Sequence, residues 1–226
     1  MIAENYKELK EGIAAAARSR GRSPEEIRLV TVTKMVGPAE IRASIRLGMN
    51  DFGENRLQEA LPKFEEFPDV NGHFIGRLQS NKAYAVIRHC SLIHSLDRLS
   101  LARAIQRGGE RLNRRVDCLV QVNISGEASK HGLAPEGLAS FLKAVKNFSR
   151  IRVLGLMGMA PLVEDPEEAR PYFRRLRELQ QALATPEVDL KELSMGMTND
   201  YRVAIQEGAT MIRVGSALFK TNTTGR

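Results

Sequence analysis

Short apolar strands alternating with amphipathic helices, eight times over, predict an α/β fold, a single (β/α)8 TIM-type barrel with an extra N-terminal helix. Three observations carry this expectation. Candidate strands centre near residues 31, 51, 74, 93, 119, 154, 194 and 212. The segments between them repeat apolar residues at helical spacing. Amides, hydroxyls and glycines gather just after the strands, on what would be one end of a barrel. A doubly wound sheet is the runner-up, because strand order is invisible in a sequence. No linker or low-complexity stretch interrupts the chain, so residues 1–226 are read as one domain.

Tyr6, Leu9, Ile13, Ala16 and Ala17 share one helical face and predict a leading helix over residues 2 to about 19. Ser23-Pro24-Glu25-Glu26 has the form of a capping box with proline at its first helical position, and is expected to make a single turn. In Leu29-Val30-Thr31-Val32-Thr33, Val30 and Val32 fall on one face and the threonines on the other, which predicts a strand. Lys34 then stands at its carboxyl end. Pro38 opens a helix carrying Ile41 and Ile45, and Gly48 ends it. Later helical faces are Leu57/Ala60/Leu61/Phe64, Leu101/Ala104/Ile105, Leu138/Phe141/Leu142/Val145 and Phe173/Leu176/Leu179/Leu183. A short one at Ala204/Ile205 is closed by Gly208.

The formal charge of +7, from 34 basic and 27 acidic residues, comes without a basic run of five or more. Interleaved charge is not the footprint of a nucleic-acid-binding arm, whereas a net positive field favours small phosphorylated anions. Cys90 and Cys118 lack metal-ligand spacing, as do His89, His94 and His131, so no metal site is expected. The N-terminal stretch reads as an amphipathic helix rather than a signal peptide, and no apolar run approaches the length of a membrane span. The matches to the glycosylation pattern at Asn123 and Asn222 are then chance. The expectation is a cytoplasmic protein that binds neither nucleic acid nor membrane.

Lys34 has two readings. It is a solvated charge at a strand end, or an amine that forms a Schiff base with a carbonyl, which requires desolvation or nearby positive charge. In the second reading a phosphate site belongs where strands seven and eight become helices. Ser194-Met195-Gly196-Met197-Thr198-Asn199-Asp200 and Arg213-Val214-Gly215-Ser216-Ala217 lie there, and supply hydroxyls and glycine-bared N–H groups. Each alone is equally an ordinary helix entry or turn. His73, inside an apolar strand, reads as a hydrogen-bonded structural histidine, and Arg77 and Lys82 as solvated loop charges; Lys130 reads as a solvated loop charge or as a secondary ligand-contacting lysine, the former slightly favoured. The methionines at 157, 159, 195 and 197 read as packing around the barrel mouth.

A group of motifs carries a resemblance. These are Lys34 ending its strand, Phe52-Gly53-Glu54-Asn55, His73-Phe74-Ile75-Gly76 with Leu78-Gln79-Ser80-Asn81-Lys82, Ser129-Lys130-His131-Gly132, Gly155-Leu156-Met157, and Leu193-Ser194-Met195-Gly196-Met197 with Asn199-Asp200. In this order, over residues 29 to 219, they resemble the pyridoxal 5′-phosphate homeostasis protein family, whose barrel is similar to the N-terminal domain of alanine racemase. The resemblance implies a barrel holding pyridoxal 5′-phosphate as an aldimine on Lys34. It also implies phosphate contacts from Ser194, Gly196, Gly215 and Ser216, a pyridine-nitrogen partner in Arg213, and Asn55 lining the ring; among the methionines at the mouth, Met157 is then the candidate ring contact. The implied role is holding and delivering the cofactor in vitamin B6 and amino-acid homeostasis, without established turnover, so no residue is assigned as catalytic. The partners implied are pyridoxal 5′-phosphate and pyridoxal-phosphate-dependent apoenzymes, and the chain is expected to be a monomer. The chain departs from the family pattern at Gly72, where tryptophan is usual, at Val36, where a second lysine is usual, at Thr198, a serine elsewhere, and at Lys220 and the tail Thr221 to Arg226.

Arg213 cannot accept a proton, so it would leave the pyridine nitrogen neutral and the ring a weak electron sink. Racemisation needs bases on both faces of a substrate carbon. Of Tyr6, Tyr84, Tyr172 and Tyr201, only Tyr201 adjoins a predicted site loop, and its spacing with Ala204 and Ile205 reads as packing. Three classes result: a non-enzymatic cofactor carrier, a low-activity amino-acid racemase as the alternative, and a class I aldolase third.

Overall fold

The leading helix α1 spans Ile2–Arg18, and a 3-10 turn at Pro24–Glu26 comes after it. Ser23 donates its backbone N–H to Glu26 Oε1 at 2.9 Å, as the capping box requires. Eight strands then alternate with helices. The strands are β1 (Arg28–Val32), β2 (Asp51–Glu54), β3 (Asn71–Phe74), β4 (Leu92–Leu96), β5 (Val116–Gln121), β6 (Ile151–Met157), β7 (Glu192–Ser194) and β8 (Met211–Val214). The helices are α2 (Pro38–Arg46), α3 (Leu57–Glu66), α4 (Ala83–His89), α5 (Leu99–Arg111), α6 (Leu138–Val145), α7 (Arg170–Leu183), α8 (Tyr201–Gln206) and α9 (Ser216–Phe219). This computed structural model describes residues 1–127, 130–185 and 188–220. Ser129 and the tail Thr221 to Arg226, with its Asn222 glycosylation pattern, lie outside the described residues.

All pairings are parallel, and the sheet closes in sequence order, β8 returning to β1. The closing ladder runs from Arg28↔Met211 to Thr31↔Val214. Closure removes the doubly wound alternative. It also places the ends of β1 and β8 side by side.

Alternation along each strand divides the apolar residues into two layers. Val30, Leu92, Leu119, Met157 and Met211 form a small cluster inside the barrel. Phe52, Phe74, Ile93, Val120, Leu156 and Ile212 belong to the larger core between sheet and helices. Thr31 turns outward and donates to Met49 Sδ. Gly72 has the His89 carbonyl oxygen 2.8 Å and the Phe64 ring 3.1 Å from where a Cβ would stand, so this chain has no room there for the tryptophan of the family pattern.

The segment after β1 is held by a buried polar clamp. Glu54 is fully buried, and its Oε1 accepts from Lys63 Nζ at 2.5 Å and from Thr33 Oγ1 at 2.7 Å. Lys63 also donates to the Thr33 carbonyl at 2.6 Å, and Thr33 N–H donates to Gly53 O. On the far side of Lys34, Met35 N–H reaches Glu59 Oε2 at 3.3 Å. Both neighbours of Lys34 are therefore tied down. Met35 adopts a φ of 59° to do so, a left-handed conformation uncommon for a side-chain-bearing residue.

Gly196, after β7, has φ +91°, and a Cβ there would lie 2.5 Å from Ala204 Cβ. Gly48, after α2, has a similar φ of +86° but open space around it. Gly196→Ala is expected to cost about 2–4 kcal/mol, from backbone strain plus overpacking. Gly48→Ala should cost about 1–2 kcal/mol, from the left-handed conformation alone. Urea unfolding of the two variants measures the difference.

Candidate functional site

A cleft of about 920 Å³ opens at the carboxyl ends of the strands, the end of such barrels at which chemistry collects. Lys34, Asn55, Met157, Arg213, Gly215 and Ser216 all line it. Ser194 and Gly196 are buried and do not. Its charged lining among the described residues is Lys34, Arg77, Lys130, Arg213 and Lys220 against Asp200 alone, with His131 beside them. Five cations to one carboxylate suit an anionic ligand.

Lys34 stands two residues beyond β1 rather than at its last position, and its side chain is exposed. Protein packing does not desolvate it. It sits in the turn after the strand, and its side chain lines the cleft. Across the closing ladder, Gly215 packs directly on β1: a Cβ there would meet the Val32 carbonyl oxygen at 2.7 Å. Ser216, next along, is exposed, and its hydroxyl donates to Thr198 Oγ1 at 2.9 Å. The first turn of α9 leaves its N–H groups without intrahelical partners. The lysine and a pair of hydroxyls beside free N–H groups thus lie at the ends of adjoining strands.

Arg213 lines the same cleft, 4% exposed, donating Nη1 to Ser194 Oγ at 2.6 Å and Nη2 to the Gly158 carbonyl at 3.1 Å. Burial lowers its pKa to about 10, while Asp200 acts in the opposite direction. It remains a cation at neutral pH and only a donor. Asp200, raised above the usual carboxylate range by burial, accepts from Met197 N–H at 2.6 Å and so shapes the loop that presents Thr198. Asn55 Oδ1 is buried with no hydrogen-bond partner among the described residues. A buried acceptor left unpaired is costly, so a ligand donor at this wall of the cleft would relieve it.

Ser194, expected as a phosphate contact, lies behind the cleft rather than on its wall. It is fully buried, and its hydroxyl lies between Arg213 and His94 Nδ1, the latter at 2.9 Å. Gly196 serves the site through its backbone, accepting from Arg213 N–H at 3.0 Å. Thr198 lies in the same seven-residue stretch and is not singled out by sequence reasoning; the turn of the chain after β7 brings it, and not Ser194, to the cleft. Tyr201 is turned away, its hydroxyl against Gly12 of α1. Among the described residues no tyrosine lines the cleft. Three departures from the family pattern, Val36, Thr198 and Lys220, line it.

The family described as alanine racemase, N-terminal domain, matches residues 4–223. A pyridoxal phosphate homeostasis protein of Aquifex aeolicus is 42% identical over 219 residues, covering 96% of each chain. The chain belongs to this family. The Pseudomonas aeruginosa pyridoxal phosphate homeostasis protein is 41% identical over 220 residues, covering 96% of this chain and 94% of its own. Among solved structures, the family member PipY of Synechococcus elongatus, with PLP bound, superposes with a TM-score of 0.83 at 36% identity, covering 97% of this chain and 100% of that one. No helix among the described residues is long and apolar enough to cross a membrane.

Behind the cleft, His94 is fully buried, and its pKa is held well below the usual 6.5, first by burial, then by His73, Arg213 and Arg28. A histidine that resists protonation only when folded makes the unfolded state the stronger proton binder below pH 6.5. Stability then falls as pH falls, by at most about 1.4 kcal/mol per unit. Asp200, with its raised pKa, contributes with the opposite sign nearer pH 4, so the window lies between about pH 6.5 and 5. Urea unfolding across that window is expected to show the slope in the wild type and a reduced slope in His94→Gln.

Proposed function

We propose that this chain binds pyridoxal 5′-phosphate in the cleft, with Lys34 as the attachment point, and serves vitamin B6 and amino-acid homeostasis as a carrier without catalytic turnover. One observation carries the reading. The lysine end of β1 and the Gly215–Ser216–Thr198 loops after β7 and β8 face one cleft, within the span of adjoining strands. The PLP-bound structure of PipY and the names of the curated relatives support the same ligand.

The residues present fit the group. Pyridoxal 5′-phosphate supplies an aldehyde that condenses with an amine, on a ring whose electron-withdrawing power depends on its nitrogen. Lys34 offers the amine. Ser216, Thr198 and the backbone at Gly215 offer donors to a dianion. Asn55 Oδ1 offers an acceptor to a ring substituent, and Met157 an apolar surface to the ring face. Arg213 keeps the ring nitrogen unprotonated, because it can give a hydrogen bond but no proton at neutral pH. That restrains carbanion chemistry and suits storage.

The absence of a tyrosine from the described lining favours the carrier over the racemase. Met35 and Leu162, 87% and 89% exposed, stand on the rim of the cleft, where a cofactor-accepting apoenzyme would dock. We infer that the chain acts as a monomer in the cytoplasm and passes the cofactor to such apoenzymes.

Titrating the purified protein with pyridoxal 5′-phosphate is expected to raise a visible absorption band that Lys34→Ala abolishes. Ser216→Ala should keep the band and weaken affinity about tenfold, the loss of one hydrogen bond to a charged group. Incubation with a single alanine enantiomer in deuterated water should leave its α-hydrogen unexchanged. Steady exchange with racemisation would instead support the racemase, and no band in the wild type would overturn the ligand.

A further inference from the structure

Inside the barrel, five side chains from five strands or strand ends form a single hydrogen-bonded series. Arg213 Nη1 donates to Ser194 Oγ at 2.6 Å. Ser194 Oγ and His94 Nδ1 are 2.9 Å apart, His94 Nε2 and His73 Nδ1 2.9 Å, and His73 Nε2 and Asp51 Oδ1 2.9 Å. The series starts at a cation lining the cleft and ends at the first residue of β2, at the opposite end of the barrel. Both imidazoles are buried, His94 fully and His73 with 2% of its side chain exposed, while Asp51 retains 20%. Arg28, Asn71 and Glu192 lie at the same end as Asp51.

The two ends dictate the direction of every bond between them. An arginine only donates, and a carboxylate only accepts. Ser194 therefore accepts from Arg213 and has His94 Nδ1 as the acceptor for its own proton. His94 then carries its proton on Nε2 and donates to His73 Nδ1, and His73 carries its proton on Nε2 and donates to Asp51. The reverse assignment turns a His73 lone pair toward the carboxylate and leaves the buried Ser194 hydroxyl proton without a partner. Chains whose donors all point the same way polarise one another and strengthen.

We propose that Asp51, His73 and His94 are positioning residues that, through Ser194, lock the Arg213 guanidinium in place facing the cleft and commit the Ser194 proton away from it. The inference rests on the cofactor reading for what Arg213 faces, but the chain of bonds itself is a property of the ligand-free protein. Its consequence for the site is specific. Ser194 has no proton to offer a phosphate, and the orientation of the group beneath the ring nitrogen depends on a carboxylate at the far end of the barrel.

The test is long-range proton–nitrogen correlation NMR on histidine- and arginine-labelled protein without ligand, near neutral pH. Both His73 and His94 are expected as the Nε2–H tautomer, and the Arg213 side-chain N–H signals as resolved and slowly exchanging. Asp51→Asn, which keeps size and removes charge, should alter the His94 and Arg213 signals with the fold intact; His94→Leu should broaden Arg213 outright. A proton on Nδ1 of either ring, a doubly protonated His73, or Arg213 signals indifferent to both variants would overturn the proposal. With pyridoxal 5′-phosphate added, Asp51→Asn is expected to move the absorption maximum of the bound cofactor, and an unmoved band would overturn the link to the ligand. If the wild type binds no pyridoxal 5′-phosphate, the cofactor reading fails and the link to the ligand with it, which the wild-type spectrum shows directly and separately from the NMR.

Discussion

The pairing of β8 with β1 is the constraint on which the rest depends. Four residue pairs close the sheet, and the last of them, Thr31↔Val214, sets the relative position of the two segments that leave these strands. Lys34 leaves β1 and Ser216 leaves β8 a few residues beyond that point, with Gly215 lying against Val32. A side chain at Gly215 would push the two ends apart, so the small residue there brings the amine and the hydroxyl-bearing loop within one cleft. A one-residue slip in this register would exchange the inward and outward faces of the paired strands.

Around that closure the chain builds rigidity into the backbone and leaves the Lys34 side chain exposed. Thr33 is held through its N–H, its carbonyl and its hydroxyl, and Met35 through its N–H, while Lys34 itself stays exposed. The buried pair of Glu54 and Lys63 supplies two of the three ties on Thr33. Such a pair contributes little to stability over an apolar substitute but specifies one arrangement of β1, β2 and α3. Exposure also suits a carrier: a ligand that must be handed on needs an open route, which a sealed reaction chamber would deny it.

Much of this was legible in the sequence because strand parity and helical periodicity report directly on which face a residue occupies. The eight strand centres, the leading helix, the closing role of Gly48 and Gly208, and the packing role of Tyr201 all come from local spacing. Depth along the barrel axis does not. Ser194 and Thr198 occupy one short stretch, and residue type alone favours either as an anion contact; only the path after β7 buries the first and presents the second. His73 and His94 were equally out of reach as a pair, since their contact depends on the stagger between β3 and β4. The residue types were visible, but the distances between strands were not.

The central claim is that one amine and one phosphate site share a single ligand. The measurement that tests it most directly is borohydride reduction of the protein with pyridoxal 5′-phosphate, followed by mass-spectrometric location of the fixed label. The account predicts label on Lys34, with competition by inorganic phosphate. Label on Lys130 or Lys220, the other lysines among the described residues lining the cleft, or label indifferent to phosphate, would contradict it.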